Sequence, residues 1–185
     1  MVYEVKNIDT LILIKPSIEY SKQINEYRQE FLNADDSMDG CGPLRRLGDT
    51  EEYIKACKDY ENIDTVPKDK VQATQFFCIR KTDNKLVGMI QVRHYFNDYL
   101  EKYAGHIGYS IRPTERRKGY AKEMLKLALP FCREIGLDKV LITCSEGNIG
   151  SEKTIRANGG IYESTVHEPN SDRNLKRFWI NLSQN

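Results

Sequence analysis

The chain has 185 residues, of which 39% are hydrophobic and 30% charged, and its formal net charge is +1. This composition supports one domain over residues 1–185 with a full hydrophobic core, and the near-neutral charge argues against a nucleic-acid partner. No apolar run approaches the ~20 residues that span a bilayer, and Met1–Lys6 does not open a signal peptide. We therefore expect a soluble, cytosolic protein with no membrane partner.

The charges are unevenly distributed along the chain. Lys and Arg number 10 against 15 Asp and Glu over residues 1–70, and 18 against 12 over residues 71–185. A basic C-terminal part suits a polyanionic ligand, and the acidic N-terminal part is where we expect a cationic or amine-bearing ligand.

The first seventy residues are predicted to hold a strand and two helices. The apolar run Leu11–Ile14 indicates a buried strand, and Pro16 with Ser17 begins an amphipathic helix that reaches about Leu32. Residues 33–48 have no periodicity and are predicted as a loop. Asp49 is predicted to cap a second helix that ends near Tyr60, and residues 61–70 form a connector.

The rest of the chain is predicted to alternate strands and helices. A hairpin joins two strands through a turn at residues 82–85, and one or two helical turns follow at residues 97–103. The predicted strands of this part are Ala73–Arg80, Leu86 to about Tyr95, His106–Arg112, Lys139–Ser145, Ile161–His167 and Asn174–Leu182. The order predicts an α/β (α+β) fold with a mixed, partly parallel central sheet of six to seven strands and about four helices.

The five cysteines show no disulfide or metal pattern. They include no CxxC pair and no zinc-site spacing, so we expect reduced thiols, several of them buried. A cysteine inside an apolar strand, such as Cys144, is more often part of the core than a nucleophile. Residues 35–46 partly match a calcium loop, but Arg46 stands where the bidentate Glu must be. We predict no metal site.

The junction between strand and helix after Pro113 carries the main functional motif. The long helix opens with Arg116-Arg117-Lys118-Gly119-Tyr120-Ala121. The first turn of a helix has unpaired N–H groups and the positive end of the helix dipole, which together bind phosphate. Gly119 allows the backbone to approach a bulky anion. Neither GxGxxG nor GxxxxGK[ST] occurs, so we expect a phosphorylated ligand other than NAD or ATP.

The pattern Arg116-x-x-Gly119-x-Ala121 after an apolar strand resembles the pyrophosphate-binding motif of the GNAT superfamily, the GCN5-related N-acetyltransferases. The following strand leads to Asn148-x-x-Ser151, and its helix closes at a pair of glycines, in the order that this family shows. The resemblance covers residues 72–182, which we expect to bind acetyl-CoA. Residues 1–70 match only in the order of elements and are expected on the acceptor side.

The resemblance implies a set of cofactor contacts. The pyrophosphate is expected on the N–H groups of Arg117 to Ala121, between the side chains of Arg116 and Lys118. The pantetheine arm is expected to pair with the strand before the motif, with the thioester carbonyl at a backbone N–H that stabilises the oxyanion. The complete set is Ile111, Arg112, Arg116, Arg117, Lys118, Gly119, Tyr120, Ala121, Asn148 and Ser151.

The resemblance is incomplete at the catalytic residues. Many members carry a Tyr as general acid seven residues after the conserved Asn, where this chain has Ile155. Tyr162 is the expected substitute. His106 corresponds roughly to a catalytic Glu or His of relatives and is the predicted base, since its ordinary pKa suits the task. Glu101, Tyr109 and Tyr162 are the alternatives for the base.

The predicted function is transfer of acetyl from acetyl-CoA to a primary amine in a ternary complex, and the alternative is a non-catalytic acyl-CoA binder. The acceptor is expected to be a small-molecule or peptide amine. The loop Asp35–Arg46, with Tyr53 and its acidic helix, is the predicted acceptor wall. The last two strands could also pair across a homodimer.

Overall fold

The computed structural model describes residues 10–182, and this part of the chain holds seven strands and four helices of regular length. The strands are β1 (Leu11–Ile14), β2 (Ala73–Arg80), β3 (Lys85–Arg93), β4 (Ile107–Ile111), β5 (Lys139–Ser145), β6 (Ile161–Glu168) and β7 (Arg173–Asn181). The helices are α1 (Ser21–Asn33), α2 (Thr50–Glu61), α3 (Tyr120–Glu134) and α4 (Ile149–Ala157). Short helical turns cover Ile18–Tyr20, Leu100–Ala104 and Pro113–Glu115.

The strands form two antiparallel sheets. The order is β1-β2-β3-β4 in the first sheet and β5-β7-β6 in the second. The α/β fold of seven strands and four helices agrees with the prediction, but every ladder between described strands is antiparallel, and no ladder forms at the centre, where parallel pairing was expected. The two sheets meet at β4 and β5, which share an isolated bridge between Gly105 and Ile142 and a 2.7 Å bond from the His106 N–H to the Leu141 carbonyl. We call these two contacts the seam. Beyond the seam, no ladder of hydrogen bonds joins β4 to β5.

The first sheet has a hydrophobic core on each face. Alternate residues of β2 point to opposite sides, so that Phe77 packs with α1 and α2 while Phe76 and Cys78 pack with α3. Because both faces are covered, β2 and β3 are buried along nearly their whole length. Asp49 caps α2 as predicted, since its side chain accepts a 2.9 Å bond from the Glu52 N–H.

All five cysteines are buried free thiols, in agreement with the sequence. Over residues 10–182 no cluster of three His, Cys, Asp or Glu side chains could hold a metal ion. Within the same residues no helix is long and apolar enough to cross a membrane. Strand β6 lies at an edge of the second sheet with Ile161 exposed, and pairing of this edge in a homodimer stays a prediction.

Candidate active site

A cleft of about 940 Å³ opens where β4 and β5 separate. The strands form its floor, the beginnings of α3 and α4 form one end, and the loop before α2 forms the other. Arg93, at the end of β3, also faces this cleft, together with Tyr99 and Tyr103 of the following segment. The cleft therefore joins the predicted phosphate turn to the predicted acceptor loop.

The register of β4 directs main-chain donors away from β3 and toward the cleft. Ile111 lies opposite Gly88, and the next residue, Arg112, donates its N–H to the Val87 carbonyl over 2.9 Å. Because hydrogen-bonded and non-hydrogen-bonded pairs alternate in an antiparallel ladder, the N–H of Ile111 points away from β3. This is the geometry that the predicted oxyanion contact needs.

The phosphate end consists of left-handed backbone followed by the first turn of α3. Arg117 has φ +65° and Gly119 has φ +86°, and a Cβ at Gly119 would have no neighbour within 4 Å. Arg117, Gly119, Tyr120 and Ala121 line the cleft, as predicted from the motif. The first turn of a helix presents main-chain N–H groups and the positive end of the helix dipole, so an anion can bind there.

Arg116 reaches the acceptor loop instead of enclosing the phosphate site. Its guanidinium pairs with Asp36 at 2.6 Å and donates to the Ile111 carbonyl at 3.1 Å. Partial burial opposes ionisation of Asp36, but Arg116 holds the pKa of that carboxyl below its usual range. Arg116 also lines the cleft, and its predicted contact with phosphate stays a prediction.

Lys118 is likewise held by a carboxylate. Its ammonium lies 2.7 Å from the nearly buried Glu115, which also accepts from Arg80 at 2.8 Å and from Lys85 at 2.6 Å. Burial opposes ionisation, but the three cations lower the pKa of Glu115 to about 2. Arg80 also donates to the Tyr120 hydroxyl at 2.9 Å. The hairpin between β2 and β3 thus brings two cations, Arg80 and Lys85, close to the phosphate turn. The sequence motif did not predict them.

Arg112 does not face the cleft. Its side chain is 3% exposed, pairs with Glu30 at 3.4 Å, and donates to the Gln23 carbonyl at 3.0 Å. Its N–H is used by β3, and its carbonyl accepts from the Glu115 N–H at 2.9 Å. The predicted cofactor contact of Arg112 was wrong, because the residue joins β4 to α1.

The residues that open α4 lie as predicted. Asn148 and Ser151 both line the cleft. The Asn148 amide oxygen accepts a 3.0 Å bond from the Ser151 N–H, which is a helix cap. The Ser151 hydroxyl lies 2.9 Å from the Tyr109 hydroxyl, and burial raises the pKa of that tyrosine well above its usual range. Tyr109 is therefore the predicted catalytic alternative that the fold brings to the cleft.

His106 does not have the geometry of the predicted base. It is 5% exposed, is not among the residues that line the cleft, and has its ring 3.9 Å from that of Phe96. Its Nδ1 accepts a 3.0 Å bond from the Leu141 N–H, which leaves the proton on Nε2. Burial, and then the nearby Arg93, lower the pKa of His106 to about 4. Its contacts join the two sheets.

The other two predicted catalytic residues also lie outside the cleft. Tyr162 is 45% exposed, and its hydroxyl pairs with that of Thr165 at 2.9 Å. Glu101 belongs to an exposed turn, and its main-chain carbonyl accepts a 2.6 Å hydrogen bond from the guanidinium of Arg177. Neither residue is among those that line the cleft.

The acceptor loop lies directly on β4. A Cβ at Gly40, which has φ +71°, would be 2.1 Å from the Gly108 carbonyl oxygen, so only glycine fits. Gln75 fixes this contact by donating to the Gly40 carbonyl at 2.8 Å. Asp36, Ser37 and Asp39 line the cleft, and their role as a wall for the acceptor stays a prediction. Tyr53 does not line the cleft, because it is fully buried against Met89.

Comparison with known proteins assigns this architecture. A family model described as an acetyltransferase (GNAT) domain matches residues 11–161. A curated relative, the uncharacterized N-acetyltransferase YnaD of Bacillus subtilis (strain 168), is 26% identical over 126 residues, which cover 65% of this chain and 68% of that protein.

Solved structures of low sequence identity share the fold. A GNAT-family acetyltransferase from Bacillus anthracis superposes with a TM-score of 0.64 at 19% identity, over 96% of this chain and 98% of that chain. Mycobacterium smegmatis RimJ, solved with CoA-disulfide, gives 0.68 at 13% identity, over 92% and 81%. The cleft between diverging strands, the glycine-led helix and the family match agree: the chain belongs to the GNAT family of acetyltransferases.

Proposed function

We propose that this chain transfers the acetyl group of acetyl-CoA directly to a primary amine, with both substrates bound in one cleft. The observation that carries the proposal is the cleft itself, which joins the first turn of α3 to the acceptor loop along β4. A long phosphorylated cofactor can lie at one end while a second ligand enters from the other.

The residues of the cleft fit acetyl-CoA. Its pyrophosphate would rest on the N–H groups from Arg117 to Ala121, where no side chain at position 119 fills the space. The pantetheine arm would run along β4 toward Ile111, and Asn148 and Ser151 would flank it from α4. The relative RimJ, solved with CoA-disulfide, supports a CoA ligand for this fold.

The chemistry is attack of a neutral amine on the thioester carbonyl. A C–N bond forms, the C–S bond breaks, and the proton lost by the amine must reach solvent or a base while the thiolate gains one. The Ile111 N–H stabilises the oxyanion, and removal of one such donor commonly costs ~2.7–4 kcal/mol of barrier. We assign protonation of the thiolate to Tyr109, whose hydroxyl is fixed by Ser151.

The second candidate function is acyl-CoA binding without catalysis. One observation favours it, which is that no histidine lines the cleft. His106 is buried at the contact between the two sheets, and neither His94 nor His167 is among the lining residues. Position 155, where many relatives carry tyrosine, holds a fully buried isoleucine.

Calorimetric titration with acetyl-CoA tests the cofactor. Gly119→Glu should abolish binding through bulk and negative charge at the phosphates. Gly119→Ala carries the same left-handed strain without the charge and should bind more weakly than the wild type but measurably. Gly136→Glu is the matched control, because Gly136 has φ +87° and an open Cβ site at the opposite end of α3. Equal affinity of wild type and Gly119→Glu would contradict the proposed site.

Measurement of the free CoA thiol distinguishes an enzyme from a protein that only binds acetyl-CoA. The enzyme should release thiol in proportion to an added amine, with the acetylated amine visible by mass spectrometry. Tight binding of acetyl-CoA without amine-dependent release, across a broad amine library, would establish the non-catalytic alternative.

A further inference from the structure

Arg93 is a cation in the cleft that the proposed chemistry does not use. It is the last residue of β3 and is only partly exposed. Its hydrogen bonds to the neighbouring turn use one nitrogen: Nη1 donates to the Gly105 carbonyl at 3.0 Å and to the Ala104 carbonyl at 3.4 Å. The other terminal nitrogen, Nη2, lies beside Gly108, 3.4 Å from the position that a Cβ would take there. The guanidinium thus faces the acceptor side of β4.

The charges around Arg93 do not neutralise it by direct contact. Within residues 10–182, Arg93 forms no ion pair with a carboxylate. Asp36 is engaged by Arg116 at 2.6 Å, and Asp39 accepts from Ser37 at 2.8 Å and acts on Arg93 only from beyond ion-pair distance. Arg173, on the opposite wall, uses its Nε for the Ser171 hydroxyl at 2.8 Å. Glu168, which lies opposite Arg173 in the ladder between β6 and β7, offsets the charge of that arginine, so Arg93 is left without a carboxylate at ion-pair distance at this end of the cleft.

We propose that the acceptor carries a carboxylate in addition to its amine, and that Arg93 binds this carboxylate. The inference rests on the proposed function and names the substrate class of the same site. A guanidinium with a free edge recognises a carboxylate through two parallel hydrogen bonds. A polycationic amine without an acidic group would instead place its second charge against Arg93 and Arg173.

The geometry also sets the spacing between the two groups of the acceptor. Arg93 reaches β4 at Gly108, which is three residues from the Ile111 N–H. At about 3.3 Å per residue, this separation is about 10 Å along the strand. The amine and the carboxylate must therefore lie several bonds apart, as the side-chain amine and carboxylate of lysine do, and not on the same carbon.

The test compares acceptors that differ only by a carboxylate. Lysine is paired with cadaverine and 6-aminohexanoate with pentylamine, at saturating acetyl-CoA, with thiol release as the readout and mass spectrometry to identify the acetylated nitrogen. We expect kcat/KM to be about tenfold or more higher for the carboxylate member, chiefly through KM. Arg93→Gln should bring this ratio close to one, and Arg93→Lys should restore part of it.

Arg177→Gln is the matched control for a structural role. Arg177 also donates to two main-chain carbonyls of the short turn beside the cleft, those of Glu101 and Lys102, but it lies outside the cleft. If Arg93 only holds that turn in place, both variants will lower the rates of both acceptors in a pair alike. We expect Arg177→Gln to leave the carboxylate preference intact.

Three results would overturn the inference: a carboxylate-free amine as the better member of each pair, an unchanged preference in Arg93→Gln, or no turnover of either carboxylate acceptor by protein that releases thiol with other amines. Failure of the proposed function would look different. In that case the wild type would not bind acetyl-CoA in the calorimeter, or it would bind acetyl-CoA and release no thiol with any amine of the library.

Discussion

The contacts of His106 predict a loss of stability in mild acid. The histidine is neutral in the folded protein at neutral pH, because its pKa is about 4, compared with an ordinary value of 6.5 for histidine. Between these two values the unfolded chain binds more protons than the folded chain, so the free energy of unfolding rises with pH in this window and falls as the pH is lowered. The contribution is fully present above pH 6.5 and is lost progressively as the pH falls to about 4.

The size of the effect follows from the two pKa values. At pH 5 the linkage relation gives a loss of about 2 kcal/mol relative to pH 7.5, and the limit below pH 4 is about 3 kcal/mol. For a chain of this length, each kcal/mol shifts the melting temperature by roughly 2–4 °C. The part due to His106 is therefore about 4–8 °C between pH 7.5 and pH 5.

The assay is thermal and urea unfolding of wild type and His106→Asn over pH 4.5–7.5. The asparagine oxygen can still accept from the Leu141 N–H, so the variant loses packing against Phe96 at every pH but loses the titration altogether. Any other group that titrates in this pH range does so equally in both proteins. The difference between the two curves should therefore shrink by about 2 kcal/mol as the pH falls to 5.

His167→Asn is the control, since His167 is an exposed residue of β6. A constant difference between wild type and His106→Asn across the pH range would refute the assigned protonation state. A bell-shaped activity profile with a limb near pH 6.5 that His106→Asn removes would restore histidine as the base.

Three further substitutions test the cleft. Gly40→Ala should push the loop away from Gly108 and destabilise the fold by about 1–3 kcal/mol. It should raise the KM for the acceptor and leave the calorimetric Kd for acetyl-CoA unchanged. An equal rise in both constants would contradict a role confined to the acceptor side. Tyr109→Phe should lower kcat by about 10²-fold if its hydroxyl protonates the thiolate, and an unchanged kcat with the Ser151 contact removed would assign that step to solvent. Glu115→Gln should lower stability in urea by about 1.5–3 kcal/mol, because three cations lose their shared carboxylate; an unchanged midpoint would contradict the network.

Local patterns in the sequence predicted the elements well. The runs Ala73–Arg80 and Lys139–Ser145 were assigned with the bounds that the structure has, because each is a compact apolar segment between turn residues. The left-handed Gly119 at the start of α3 was also evident from the motif. These features depend on residues that are neighbours in the chain, which is the information a single sequence carries.

Contacts between distant segments were not predictable in the same way. Arg116 meets Asp36 across 80 residues, and Glu115 meets Arg80 across 35, so no spacing rule connects them. The direction of His106 depends on strand phase, since one residue along a strand reverses the face to which a side chain points. Arg93 stands at the end of a strand, where a charged residue is usually exposed to solvent. It lies in a cleft only because β4 and β5 separate.

The narrow seam at Gly105 and His106 makes a bound ligand part of the connection between the two sheets. A molecule lying between β4 and β5 would contact both and so would resist their separation along a length that the protein backbone leaves unbridged. Ligand at a hundredfold excess over its Kd adds about 2.7 kcal/mol to the free energy of unfolding. The folded lifetime of this chain, and its resistance to proteolysis, should therefore vary with the supply of the molecule that fills the cleft.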